Sequence, residues 1–182
     1  MEMKRFCPEL ETTLCTTRQD VDRVFFDLCN VERADAFFYS CPADMMTRLY
    51  AWQEITEGAW VIRADIKTTV GLYPAGFMVF QPGPGQARYT HFSAYPGFDD
   101  IVVPMGLDIE QWAFSNSNLS CLLGLTPKPY RHVTNFFRQA GFEPMGVVPG
   151  ACYFARRDRY CDGVASVCTR ESLAAAMERQ EA

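Results

Sequence analysis

The sequence predicts one α/β domain: a mixed, mostly antiparallel sheet of about six or seven strands with helices on both faces. Three observations point to it. Helical periodicity recurs in separate blocks, first over 19–30 and again over 133–140. A run of alternating residues, Arg88 to Tyr95, follows a Pro/Gly turn in the manner of a hairpin. A nearly continuous apolar run, Leu119 to Leu125, divides one helical block from the next, as a buried strand does.

The elements follow in order. An extra strand is expected near Leu10 to Cys15. In the first helix, Gln19 to Asn30, Val21, Val24, Phe25 and Leu28 make one apolar face, with Thr17 as cap and Asp20 suiting the dipole. Ala34, Phe37 and Phe38 extend its loose period. A second helix is expected from Ala43 to Thr56, with Met45, Leu49 and Trp52 buried. Trp60–Ile62 and Gly76–Phe80 read as strands, and Gly76–Phe80 pairs with Arg88–Tyr95 across the turn at 81–86. On Arg88–Tyr95, Tyr89, His91, Ser93 and Tyr95 share one face. A helix is expected from Pro104 to Asn116, with Ile109, Trp112 and Ala113 inward. After the apolar strand, Thr126 reads as a cap and Pro127 as the first turn of a helix carrying Val133, Phe136, Phe137 and Ala140 and ended by Gly141. Two strands, Met145–Phe154 and Tyr160–Cys168, close the domain around a turn at Arg156–Arg159, and the tail from Glu171 is a short helix.

The 182 residues suit a single domain, 1–182, and 48% hydrophobic residues suffice for a core. A net charge of −5 argues against non-specific nucleic-acid binding, which needs a basic footprint. No apolar stretch reaches the roughly 18 residues of a membrane span, and no apolar region follows Lys4 and Arg5 as in a signal peptide. The cytoplasm is therefore the expected location. Eight scattered cysteines without a C-x-x-C pair predict neither a zinc site nor a disulfide scaffold, and no metal is expected. They read as small buried hydrophobes or, alternatively, as exposed redox sensors.

The order of elements from Trp60 to Cys168 resembles the GNAT N-acetyltransferase fold. Thr90-His91-Phe92-Ser93-Ala94-Tyr95-Pro96 resembles its fourth strand, Leu119–Pro127 its fifth, and Val133–Phe142, ending in Gly141-Phe142, its fourth helix. Family-like proteins are also carried by phage and prophage genomes. The resemblance implies that strands four and five part to hold the pantetheine arm of acetyl-CoA. It also implies a pyrophosphate resting on the following helix N-terminus. Ser93, Ala94 and Tyr95 would then bind the cofactor, with Gly106 as the last motif glycine and Arg131 near phosphate. His91 would take the proton of a small-molecule or peptide amine, and Tyr130 would protonate the thiolate. The chain departs from the family where Asp99 replaces the usual Arg or Gln, where Ile101, Val102 and Val103 replace glycines, and where Phe137 replaces the thiolate-protonating Tyr. The alternative is a GNAT-like binding or assembly module without catalysis. Within the strand, His91 also reads as a plain sheet histidine, His132 as solvent-facing, and Lys128, Arg131, Arg138, Arg156, Arg157 and Arg159 as solvated charges. No hydrolase or nucleotide-triphosphatase motif is present.

Overall fold

The computed structural model describes residue 7 and residues 9–31 and 33–181, so Lys4 and Arg5 lie outside the described residues. The chain runs β1 (Leu10–Leu14), α1 (Arg18–Asn30), α2 (Ala34–Phe37), α3 (Met45–Thr56), β2 (Trp60–Thr68), β3 (Gly71–Pro82), β4 (Ala87–Ala94), α4 (Val102–Ser115), β5 (Cys121–Pro127), α5 (Arg131–Gln139), β6 (Glu143–Phe154), β7 (Arg159–Cys168) and α6 (Arg170–Glu181). Short 3-10 turns at Asp99–Ile101 and Ala155–Arg157 lead into α4 and β7.

The strands form one seven-stranded sheet in the order β1-β2-β3-β4-β5-β7-β6, antiparallel throughout except for the β4–β5 pair. Strand alternation sends successive side chains to opposite faces, and each face has its own core. Val61, Phe77, Val79 and Tyr95 pack under α1–α3 with Val24, Phe25, Leu28 and Trp52. Ile62, Met78 and Phe80 pack under α4–α6 with Leu107, Ile109, Phe136 and Leu173.

Local chemistry explains several boundaries. Thr17 and Asp20 form a reciprocal capping box at the start of α1, Thr17 Oγ1 accepting from the Asp20 amide at 3.2 Å. The Val31 amide makes the last α-helical bond of α1, to Asp27 O at 3.1 Å, and Ala34–Phe37 form a separate turn of helix. Asp44 caps α3 through the Thr47 amide at 2.8 Å. Met45 in that helix is 53% exposed, contrary to its expected burial, because the sheet-facing side is set by Trp52. At the end of α5, Gly141 adopts φ 93° while α6 crosses it closely: a Cβ there would stand 3.0 Å from Leu173 Cα.

Two expectations are corrected around β5. Thr126 and Pro127 do not open a helix; they extend β5 and pair with Val164 and Gly163 of β7. Thr126 is buried in that ladder, and α5 begins only after a turn in which the Tyr130 amide donates to Pro127 O at 2.8 Å. Nor is β5 covered on both faces: Leu122 and Gly124 are buried, but Leu125 is 45% exposed.

Candidate functional site

The parallel strands β4 and β5 pair over only three positions, Ala87 with Cys121, Arg88 with Leu122 and Tyr89 with Leu123. Beyond Tyr89 they part, leaving Thr90–Ala94 facing Gly124–Pro127 across a gap. β5 is drawn the other way by β7, with which it pairs from Leu122 to Pro127.

Register decides which peptide groups face the gap. The Tyr95 amide donates to Ala75 O at 2.8 Å, and β4 pairs with β3 without a bulge from Gly76–Ala94 to Pro82–Arg88. In an antiparallel ladder the hydrogen-bonding side alternates residue by residue. Ser93 and His91 therefore turn their amides to β3, as Tyr95 does, whereas Phe92 and Ala94 turn theirs toward β5. The bond from the Ser120 amide to Gln86 O, at 3.1 Å, fits the same parity. Of the three expected cofactor contacts, Ala94 faces the gap, while the Ser93 and Tyr95 amides are used within the sheet. Phe92, which the sequence did not single out, turns its amide to the gap as Ala94 does. Tyr95 is a core residue, 2% exposed, with its hydroxyl on Val24 O at 3.4 Å.

The face beneath α4 and α5 is bridged by aromatic rings. Phe92 of β4 stacks on Phe136 of α5, with centroids 4.4 Å apart and an interplanar angle of 13°. Phe136 also fills the space over Gly106, where a Cβ would meet its Cζ at 2.8 Å. Gly106 thus lies in the second turn of α4 and serves close packing with α5. The first turn of α4 follows the exposed Asp99 and Asp100 and contains Pro104, which has no amide to donate. Phe137 is buried.

The opposite face holds the other candidates. His91, half-buried, places Nε2 3.2 Å from Gln81 Oε1, and its ring lies 6.3 Å from that of Phe37. Loss of hydration pushes its pKa down to about 4, so it is neutral at pH 7. Tyr130, at the cap of α5, meets Tyr39 and Phe154 at centroid distances of 6.0 and 5.4 Å, and its hydroxyl is pushed up by burial. His132, exposed, has its ring 5.8 Å from that of Tyr130. The Ala155 amide donates to Tyr39 O at 3.0 Å, and Asp35 pairs with both Arg48 and Arg156, so α2 is tied to the β6–β7 turn. Arg131 lines a surface cavity of about 540 Å³ with Lys128, Arg159, Tyr160 and Cys161, beyond the open end of β5. Lys128 is partly neutralised there by Asp162 at 3.2 Å.

The same overall fold recurs in solved structures. The acetyltransferase of GNAT family from Streptococcus pneumoniae matches with a TM-score of 0.61 at 11% identity, over 88% of this chain and 99% of its own. The chain has the GNAT fold. Spermidine N-acetyltransferase from Vibrio cholerae, in complex with CoA and spermine, matches at TM-score 0.70 and 12% identity, over 91% of this chain and 98% of that one. The microcin C7 self-immunity acetyltransferase MccE, in complex with acetyl-CoA and AMP, matches at 0.63 and 14%, over 87% and 92%. No protein-family model matches the chain, and no curated protein sequence does. No helix among the described residues is long and apolar enough to cross a membrane.

Proposed function

We propose that the protein is a GNAT-type N-acyltransferase that moves an acetyl or other acyl group from coenzyme A to the amine of a small molecule or peptide. The observation that carries this reading is the parting of β4 and β5 after Tyr89 and Leu123, with the peptide groups of Phe92 and Ala94 turned into the opening. Bare strand amides suit the pantetheine arm, whose own amides can continue the ladder. Acetyl-CoA-bound and CoA-bound neighbours on the same fold support the choice of ligand.

The thioester supplies the activated acyl group. The Ala94 N–H would stabilise negative charge on the acyl oxygen as the amine attacks. As the C–N bond forms and the C–S bond breaks, the amine proton passes to water or to neutral His91. With a pKa near 4, His91 is a weak base and accepts only from a strongly acidified ammonium. Tyr130 is the candidate proton donor to the thiolate. The first turn of α4 fits a pyrophosphate poorly: it lacks the glycines, has one amide fewer at Pro104, and is preceded by two carboxylates, each repulsive by about 1 kcal/mol in water. Arg131 is the candidate cation for that group.

A second reading is favoured by a specific observation. Phe92 of the parted strand is engaged in a ring stack with Phe136, and Phe137 has no proton to give, as expected of a binding or assembly module that retains the fold without catalysis. Two measurements separate the readings. Acetyl-CoA at 100 times its dissociation constant stabilises a binding fold by about 2.7 kcal/mol, and an active enzyme also releases free thiol from acetyl-CoA when polyamines or peptide amines are added. A chain that shows neither effect at millimolar ligand is the non-catalytic module.

A further inference from the structure

Cys152 of β6 and Cys161 of β7 are register partners. Directly opposed residues of an antiparallel pair have Cα atoms about 4.5–5.5 Å apart and side chains on one face, inside the span of roughly 4.4–6.8 Å that a disulfide bridges. No other two cysteines among the described residues oppose each other in the sheet. The Tyr39 hydroxyl rests on Cys152 Sγ at 3.9 Å. Gly163 leaves room for that thiol: a Cβ there would stand 3.1 Å from Cys152 Sγ and 2.7 Å from Leu125 Cδ1.

The two thiols differ in access. Cys152 is 2% exposed, whereas Cys161 is half-buried and lines the cavity rimmed by Lys128, Arg131 and Arg159, with Asp162 paired to Lys128, so the rim is net cationic. An anionic reagent is drawn to such a rim. We propose that Cys152 and Cys161 are a thiol–disulfide modification site, oxidised by an anionic low-molecular-weight disulfide of the glutathione type. The Cys161 thiolate attacks one sulfur of glutathione disulfide, whose S–S bond breaks and releases one glutathione thiolate. The Cys152 thiolate then attacks Cys161 Sγ and expels the second. Two protein thiols lose two electrons and two protons, and one glutathione disulfide becomes two glutathiones. Burial raises the Cys152 thiol pKa, so the second step quickens with rising pH. The proposal does not depend on acyl transfer.

The test incubates the full chain with glutathione disulfide at pH 8, followed by thiol titration in denaturant, intact mass and peptide mapping. The expected product has six of the eight thiols left, is two hydrogens lighter, carries no adduct, and yields one bridged peptide pair holding Cys152 and Cys161. Cys152→Ser is expected to stop at a glutathione adduct on Cys161. The glutathione reaction is expected to slow severalfold with added salt and to outpace that of cationic cystamine. Eight free thiols after prolonged incubation, a bridge mapped to another pair, or an unresolved adduct on wild-type Cys161 overturns the assignment. Equal rates with the two disulfides overturn the role of the cationic rim.

Discussion

Phe92 and Phe136 stack at 4.4 Å between β4 and α5, so a side chain of the helix that follows β5 reaches back to the strand from which β5 has parted. The pair lies under α4, with Phe136 against Gly106. Phe136→Ala should cost about 3 kcal/mol, the usual loss for a buried Phe. If the ring obstructs the ligand arm, the same change should tighten acetyl-CoA binding severalfold by calorimetry. Weaker binding would make Phe136 part of the ligand site.

Gly106 is the other half of that packing. A Cβ at this position meets Phe136 Cζ at 2.8 Å, so Gly106→Val should destabilise by about 1–3 kcal/mol through overpacking. In a double-mutant cycle, Phe136→Ala should absorb most of that cost. Additive losses in chemical denaturation would place the strain elsewhere.

Glu110 is wholly buried on α4, and neither carboxylate oxygen has a hydrogen-bond partner. Burial raises its pKa well above the ordinary carboxylate value; the Cys168 thiol is likewise pushed up, first by its own burial and then by the nearby Glu110. The folded chain thus keeps a proton that the unfolded chain releases above about pH 4.5, and stability falls as pH rises through that window. The slope is roughly 1 kcal/mol per pH unit. Glu110→Gln should gain more over wild type at pH 8 than at pH 5. An equal difference at both values would mean that Glu110 does not hold its proton on folding.

His91 has the opposite sign. Its folded pKa near 4 lies below the ordinary value of 6.5, so the unfolded chain binds the extra proton between the two. Its contribution is complete above about pH 6.5 and is lost as pH falls toward 4. His91→Gln should flatten this acid limb by about 2 kcal/mol, with partial exposure reducing the full effect. Unchanged acid unfolding would remove the desolvation argument.

What the sequence disclosed and what it hid divide along locality. The capping box at Thr17 and Asp20 and the stripe Val24, Phe25 and Leu28 are local signals, and α1 was legible from them. Thr126 and Pro127 carry a helix-start signal too, but non-local pairing with β7 overrides it. The face of β4 was legible from alternation. Which amides point at the gap was not, because that parity comes from the register with β3: the Ser93 and Tyr95 amides turn to β3 and that of Phe92 to the gap. Gly106 looked like a phosphate glycine because only the packed α5 reveals what it faces. Glu110 adjoins the expected inward residues Ile109 and Ala113, and that adjacency was the one available clue to its burial.

The central claim is that the opening between β4 and β5 receives the arm of a coenzyme A thioester. Amide hydrogen exchange with and without saturating acetyl-CoA tests it most directly. The account predicts protection concentrated at Phe92 and Ala94 on β4 and at Leu125 on β5, the residue of 124–127 whose amide turns to the gap rather than to β7. Unchanged exchange in both segments at millimolar acetyl-CoA, or protection confined to other surfaces, would contradict it.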